Sequence, residues 1–208
     1  MGVADRKERE KEEMKKRILE AAKKLFLEQG FEKTSIRNIA EEIEYSPSTI
    51  YLYFKDKNDL LFGLHQEAFI GLITALQNTA KFENAIDQLE DMGKHYMKFA
   101  FENPELYDLM FIMNAPIDSL ECKDEVWDDG QKAFDLLRFL VAQCQTEGYL
   151  TEYEVDDASL MIWSFIHGIV TLHARKRLSM FCEPELELET RMNKAFLSFL
   201  STIKCSKK

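Results

Sequence analysis

Between residues 34 and 57 the chain gathers short hydroxyls, phenols and cations: Thr34, Ser35, Arg37, Tyr45, Ser46, Ser48, Thr49, Tyr51, Leu52, Tyr53, Lys55 and Lys57. These side chains point to hydrogen bonding and charge pairing rather than bond-making. Short hydroxyls such as Ser48 and Thr49 allow close approach and bond bases or phosphates, and a leucine such as Leu52 meets a thymine methyl. A guanidinium such as Arg37 matches the two acceptors of a guanine edge. The ammoniums of Lys55 and Lys57, and hydroxyls at a helix start such as Thr34 and Ser35, suit phosphate. Taken singly, Tyr51 and Tyr53 also read as half-buried aromatics, and the two lysines as ordinary loop charges.

The elements that must carry these groups follow from periodicity. Met14, Ile18, Ala21, Ala22 and Leu25 predict one amphipathic helix over Lys7 to Gln29, ended by Gly30 in a left-handed cap. Ile36, Ile39, Ala40 and Ile43 predict a second helix, with Thr34 or Ser35 as its N-cap. Glu44 and Tyr45 form a short turn, and Ser46 before Pro47 starts a third helix whose inward face is Ile50 and Phe54. A long helix braced against two short ones across a tight turn is a helix-turn-helix. Helices are predicted further on near 58–79, 84–102, 104–112, 119–147, 154–180 and 185–204. The reading is an all-α chain of about nine helices. A three-helix head, residues 1–57, precedes a larger antiparallel bundle body, residues 58–208, and the two share the fourth helix.

Composition agrees. Among 208 residues there are only 8 Gly and 4 Pro, which favours long helices over many turns. The net charge of −10 is unevenly spread: residues 1–60 hold 13 basic and 13 acidic residues, and the remaining 14 of 27 basic residues face the remaining 24 of 37 acidic ones. A neutral head can bind DNA if its cations converge on one face, while an acidic body is repelled from the duplex. The N-terminal stretch from Arg6 to Arg17 mixes both signs, with Glu12–Lys16 and Glu13–Arg17 at i,i+4. It reads as a solvated helix extension, with an arm along the duplex as the alternative.

Four widely spaced cysteines, without a CxxC pair, predict neither a zinc site nor a disulfide framework and fit a reducing cytoplasm. The first ten residues lack the apolar core of a signal peptide. The longest uncharged stretch, Ala158 to Ala174, is 17 residues and contains two histidines, so a helix buried in protein is expected rather than a membrane span. HExxH, GxSxG, Walker and Rossmann motifs are absent, and no enzyme or cofactor is expected.

Residues 18–61, ILEAAKKLFLEQGFEKTSIRNIAEEIEYSPSTIYLYFKDKNDLL, resemble the head of the tetracycline-repressor (TetR) family. The agreement is an ordered set: AAxxLFxxxGF ending the first helix, T-S-I-x-x-I-A opening the second, then S-P-S-T-I-Y-x-Y-F-x-x-K-x-x-L. Tyr45 departs from the small aliphatic residue usual there. The body resembles a TetR C-terminal type marked by Trp, His and Gly, here Trp163, His167 and Gly168. The resemblance implies a homodimer on a palindromic operator, repressing until a small molecule binds the body. It makes Tyr53 a phosphate contact and Tyr51 a base or phosphate contact. A DNA-binding regulator with no small-molecule effector is the alternative.

For the body, Met97, Phe101, Met110, Phe111, Met113, Trp127, Phe134, Trp163 and His167 are the candidates to line an effector site for an apolar or aromatic molecule, with core packing the competing reading. The segment from Phe111 to Pro116 is expected at its edge. The last two long helices, through Ala158 to Leu178 and the stripe Met192, Ala195, Phe196, Phe199, Leu200 and Ile203, are expected to form the dimer interface.

Overall fold

The three-and-four spacing of the N-terminal apolar residues folds as one helix, α1 (Val3–Gln29), which starts one turn earlier than the spacing predicts. Ile18, Ala21, Ala22 and Leu25 form its buried stripe. The computed structural model describes residues 3–78, 80, 82–112, 128–180 and 185–204. Among them every long element is an α-helix: α2 (Ile36–Glu42), α3 (Pro47–Ile50), α4 (Lys57–Gln77), α5 (Ala85–Glu102), α6 (Pro104–Phe111), α7 (Asp128–Thr146), α8 (Val155–Ala174) and α9 (Glu185–Ile203). The first part of the helix expected over 119–147 lies outside the described residues.

The chain divides into two compact units. The described part of the first is residues 3–68 with 108–112, and that of the second is 69–107 with 128–180 and 185–204. The boundary expected at 57/58 falls where α4 begins, and the two units divide α4 between them.

In the first unit α1 packs on α2, and α2 on α3. Gly30 takes the left-handed conformation (φ 86°) and donates its N–H to the Phe26 carbonyl at 3.0 Å, closing α1. Ile39, Ala40, Ile43, Ile50 and Phe54 face inward and are buried.

In the second unit α5 packs against α7, α8 and α9. Its N-terminus is closed twice. Asn84 accepts from the Asp87 N–H at 2.9 Å, and both Glu147 carboxylate oxygens accept from the Ala85 N–H, at 2.9 and 3.1 Å. The charge on Glu147 thus ties the end of α7 to the start of α5. Arg138 on α7 bonds Asp156 on α8 at 2.7 Å. Cys144, on the inner face of α7, is fully buried; burial, with the Glu147 charge adding, pushes its thiol up to about 12.

Two expectations need correction. The helix predicted to reach residue 180 ends at Ala174. Lys176 turns left-handed (φ 55°), its N–H bonds the His173 carbonyl and the Arg177 N–H bonds the Leu172 carbonyl, both at 2.8 Å. That pair of bonds is a Schellman closure with lysine where glycine is usual. A short 3-10 turn, Leu178–Met180, follows. The second correction concerns α9: Met192, Phe196, Leu200 and Ile203 are buried within this one chain, not left open for a partner. Phe199 stacks on Phe165 of α8 with centroids 4.1 Å apart, and Ala195 alone of the stripe is exposed.

α4 and α8 match a bilayer span by length and composition alone, but Ile162, Ile166 and Val170 of α8 are buried in a unit where α8 packs on α5, α7 and α9.

The approach of α5 to α9 is set by Gly93, where a Cβ would overlap the ring of the fully buried Phe196. Gly93→Ala should therefore cost about 1–3 kcal/mol by overpacking and lower the melting temperature by several degrees. A thermal melt checks this, and an unchanged midpoint would mean the ring yields freely.

Candidate nucleic-acid interface and a polar cluster in the second unit

Ser35, not Thr34, caps α2. Its hydroxyl accepts from the Asn38 N–H at 3.2 Å, and the Asn38 side-chain oxygen accepts from the Ser35 N–H at 3.0 Å, a reciprocal capping box. Thr34 is buried, its hydroxyl within reach of the Gly30 carbonyl at 2.9 Å and the Leu25 carbonyl at 3.2 Å. This corrects its expected place among the phosphate contacts: the hydroxyl satisfies carbonyls left over at the end of α1 and does not reach the surface. Lys57 is half-buried and has a similar task. Its ammonium donates to the Phe31 carbonyl at 2.8 Å and lies 4.1 Å from the Phe31 ring centroid.

The turn from α2 to α3 is closed by the Tyr45 N–H on the Ala40 carbonyl at 2.9 Å and the Glu44 N–H on the Glu41 carbonyl at 3.1 Å, with Glu44 left-handed at φ 61°. Arg17 of α1 braces it, donating to the Ile43 carbonyl at 3.0 Å with its guanidinium 5.3 Å from the Tyr45 ring centroid. That brace was not foreseen, because Arg17 sits in a charge run that reads as solvated.

Beyond the turn, Pro47 opens α3, and Ser46 bonds the Ser48 hydroxyl at 2.7 Å and that of Thr49 at 3.2 Å. Regular helix ends at Ile50, and Tyr51 to Tyr53 continue as turns bonded to Pro47, Thr49 and Ile50. Ile50 and Phe54 anchor this segment inward. Around these anchors Ser48, Tyr51, Leu52 and Lys55 are all exposed. Leu52 is 79% exposed. Arg37 points outward with its side chain 81% exposed, held by Glu41 at 3.0 Å. Ser35 and Tyr45 are exposed, while Thr49 and Tyr53 are half-buried.

The second unit brings together a cluster that sequence spacing gave no means to assemble. The phenols of Tyr96 on α5 and Tyr107 on α6 reach the His167 Nδ1 on α8, at 3.1 and 2.7 Å. The Tyr107 hydroxyl is also 3.2 Å from the Thr171 hydroxyl and within reach of the His167 carbonyl at 3.3 Å. Burial lowers the His167 pKa and raises that of Tyr96 well above the usual phenol value. Trp163 lies 5.6 Å from both the Phe134 and His167 rings. Phe101 meets the His173 ring edge-on at 4.7 Å.

Of the other body candidates, Met97 and Met110 are each 1% exposed and lie in the interior. Phe111 is half-buried and lies in the first unit. Met113, Trp127 and the segment up to Pro116 lie outside the described residues.

Two family profiles match the chain. "Bacterial regulatory proteins, tetR family" covers residues 18–64, and "Tetracyclin repressor-like, C-terminal domain" covers 89–195, just over half of the chain by itself. The chain belongs to the TetR family. It is a transcriptional regulator with a DNA-binding helix-turn-helix, and not an enzyme.

The HTH-type transcriptional regulator HbdR of Aromatoleum sp. (strain CIB) is 51% identical over 51 residues, 24% of this chain and 22% of that one. The first curated relatives are matched over only 22–34% of their own length. Among solved structures, the TetR-family regulator PfmR of Thermus thermophilus has a TM-score of 0.64 at 19% identity, covering 90% of this chain and 97% of that one. The fatty acid degradation regulator FadR of Bacillus halodurans has a TM-score of 0.70 at 19% identity, covering 88% and 94%. At that identity the likeness is one of fold.

Thr34→Val removes a buried donor and leaves the carbonyls of α1 unserved. It should cost the TetR-type head about 1–3 kcal/mol in a urea melt, with the salt dependence of DNA binding unchanged. A shallower salt slope with unaltered stability would instead return Thr34 to the phosphate contacts.

Proposed function

We propose that this TetR-family chain is a repressor that binds a palindromic operator as a homodimer and leaves it when a small molecule binds the second unit. The observation that carries the DNA side of this reading is the exposed face of Ser48, Tyr51, Leu52 and Lys55, fixed from behind by Ile50 and Phe54 and flanked by Arg37. Ser48 and Thr49 approach the base edges, Leu52 meets a thymine methyl and Arg37 pairs with a guanine. Ser35, Tyr45, Ser46, Tyr51, Tyr53 and Lys55 serve the backbone and the adjoining bases, and Lys57 adds a phosphate contact beside its bond to Phe31. The site of action is the cytoplasm, where a bacterial operator lies.

The dimer reading rests on α8. Leu160, Ser164, Gly168 and Leu172 follow at i+4 along one stripe; both leucines are about half exposed, and a Cβ at Gly168 would meet nothing within 4 Å. Small residues between two leucines let a second helix approach closely, and the exposed Ala195 and Ser198 of α9 extend that surface. Effector release requires only that the ligand bind one dimer conformation better than the other.

The operator is tested by titrating protein into labelled duplex from upstream of its own gene, reading anisotropy at several salt concentrations. Binding should be sequence-dependent and fall steeply with salt. Arg37→Ala should weaken the specific complex by about tenfold or more and the scrambled duplex by much less. If selection from random duplexes yields no preferred site, specific recognition by this face is wrong.

Leu160→Asp with Leu172→Asp should convert the dimer to monomer in sedimentation and lower operator affinity by about a hundredfold, because the two heads then bind independently. A doubly substituted protein that remains dimeric would move the interface off α8.

A further inference from the structure

The two neighbouring glutamates at the end of α2 are used differently. Glu42 turns to α1 and accepts from the Lys24 ammonium at 2.6 Å. Glu41 lies one turn beyond Arg37 on the same side of α2 and accepts from the Arg37 Nε at 3.0 Å. Both side chains of that second pair are exposed, at 81% and 61%. Exposed pairs of this kind add little stability. This one is also set against the helix dipole, with the cation in the first turn of α2 and the carboxylate in the last. The stability of α2 therefore does not account for it.

The placement costs something on the DNA side as well. A carboxylate beside a base contact adds negative charge where phosphates must approach.

What the pair does supply is direction. Glu41 takes Arg37 by Nε alone, and among the described residues neither Nη1 nor Nη2 has a partner. Arg138, by contrast, has Nε on Asp156 at 2.7 Å and Nη1 on Asp135 at 3.1 Å, so its fork is largely taken up within the protein. A guanidinium is planar, and its N–H groups are fixed relative to one another. A carboxylate on Nε thus sets where the two terminal nitrogens point, and those two can span the O6 and N7 of a guanine. An unheld arginine loses its rotamer freedom on binding and pairs as readily with any phosphate. A held one has given up part of that freedom beforehand.

We propose that Glu41 is a positioning residue for sequence reading: it holds Arg37 by Nε so that Nη1 and Nη2 meet a guanine edge rather than a phosphate. This rests on the Arg37–guanine reading above and adds the residue that makes the contact selective.

The test uses the full-length chain with two duplexes, one that it selects from random sequence and a scrambled one of the same composition. Affinities are read by anisotropy at one salt concentration, and the quantity compared is their ratio. Glu41→Ala should lower that ratio about fivefold, the cost of ordering one long side chain at the interface. Glu41→Gln keeps an acceptor oxygen at the same reach and should lower it less than about twofold. Added to Arg37→Ala, Glu41→Ala should lower the ratio no further, because both act through one contact. Alanine is a strong helix former, and a melt confirms that each variant is folded. Loss of a repelling charge alone would do something else: Glu41→Ala and Glu41→Gln would tighten both duplexes alike and leave the ratio as it was. That result, an alanine effect equalled by glutamine, or one that persists without Arg37, overturns the proposal. If Arg37→Ala itself leaves the ratio unchanged, or selection yields no preferred site, the guanine reading falls and this proposal with it. Where Arg37→Ala does lower the ratio, the first three results defeat the role of Glu41 alone.

Discussion

An α-helix leaves its last carbonyls without amide partners, and how a helical chain closes them decides where it can turn. Here the same solution recurs at the ends of α2, α7 and α8: one residue goes left-handed, and its own N–H and the next one fold back onto the final turn. At the end of α7 that residue is Gly148, with the Tyr149 N–H on the Cys144 carbonyl at 2.9 Å. At the end of α2 it is Glu44, a residue that gains nothing from the conformation and is held there by what surrounds it. The direction of α3 follows from that closure. With Arg17 on the Ile43 carbonyl and Ile50 seated inside, Ser48, Tyr51 and Leu52 have only one way to face. The surface proposed to read DNA is thus a product of helix termination as much as of the side chains displayed on it.

What was legible in the sequence follows from locality. Periodicity located every helix of the head, Pro47 its third start and Gly30 its first stop, because each signal acts within a turn or two of itself. The choice between Thr34 and Ser35 was not legible. Two adjacent hydroxyls look alike until Asn38 answers one and the buried end of α1 claims the other. The end of α8 was missed because lysine at the left-handed position leaves no mark of the kind glycine leaves. Tyr96 and Tyr107 could not be assigned to His167, since it lies 71 and 60 residues away from them along the chain. The apolar stripe of α9 was visible, but a stripe does not say whether its cover comes from the same chain or another.

The division of charge gives the two units different relations to a polyanion. In the head the acidic side chains are partly spent on holding cations in place, as Glu41 holds Arg37 and Glu42 holds Lys24 at 2.6 Å. Such exposed pairs add little stability, yet they limit the positions a flexible cation samples. The remaining sequence carries the whole net charge of −10, so its repulsion from phosphate favours approach by the head alone.

Cys144 shows what burial means for a regulator's range of signals. Peroxides, quinones and other electrophiles react with thiolate, and a thiol held at about 12 in the packed interior offers almost none at neutral pH. At this position, in the last turn of the helix whose end ties down α5 through Glu147, the thiol is poorly placed to register oxidants.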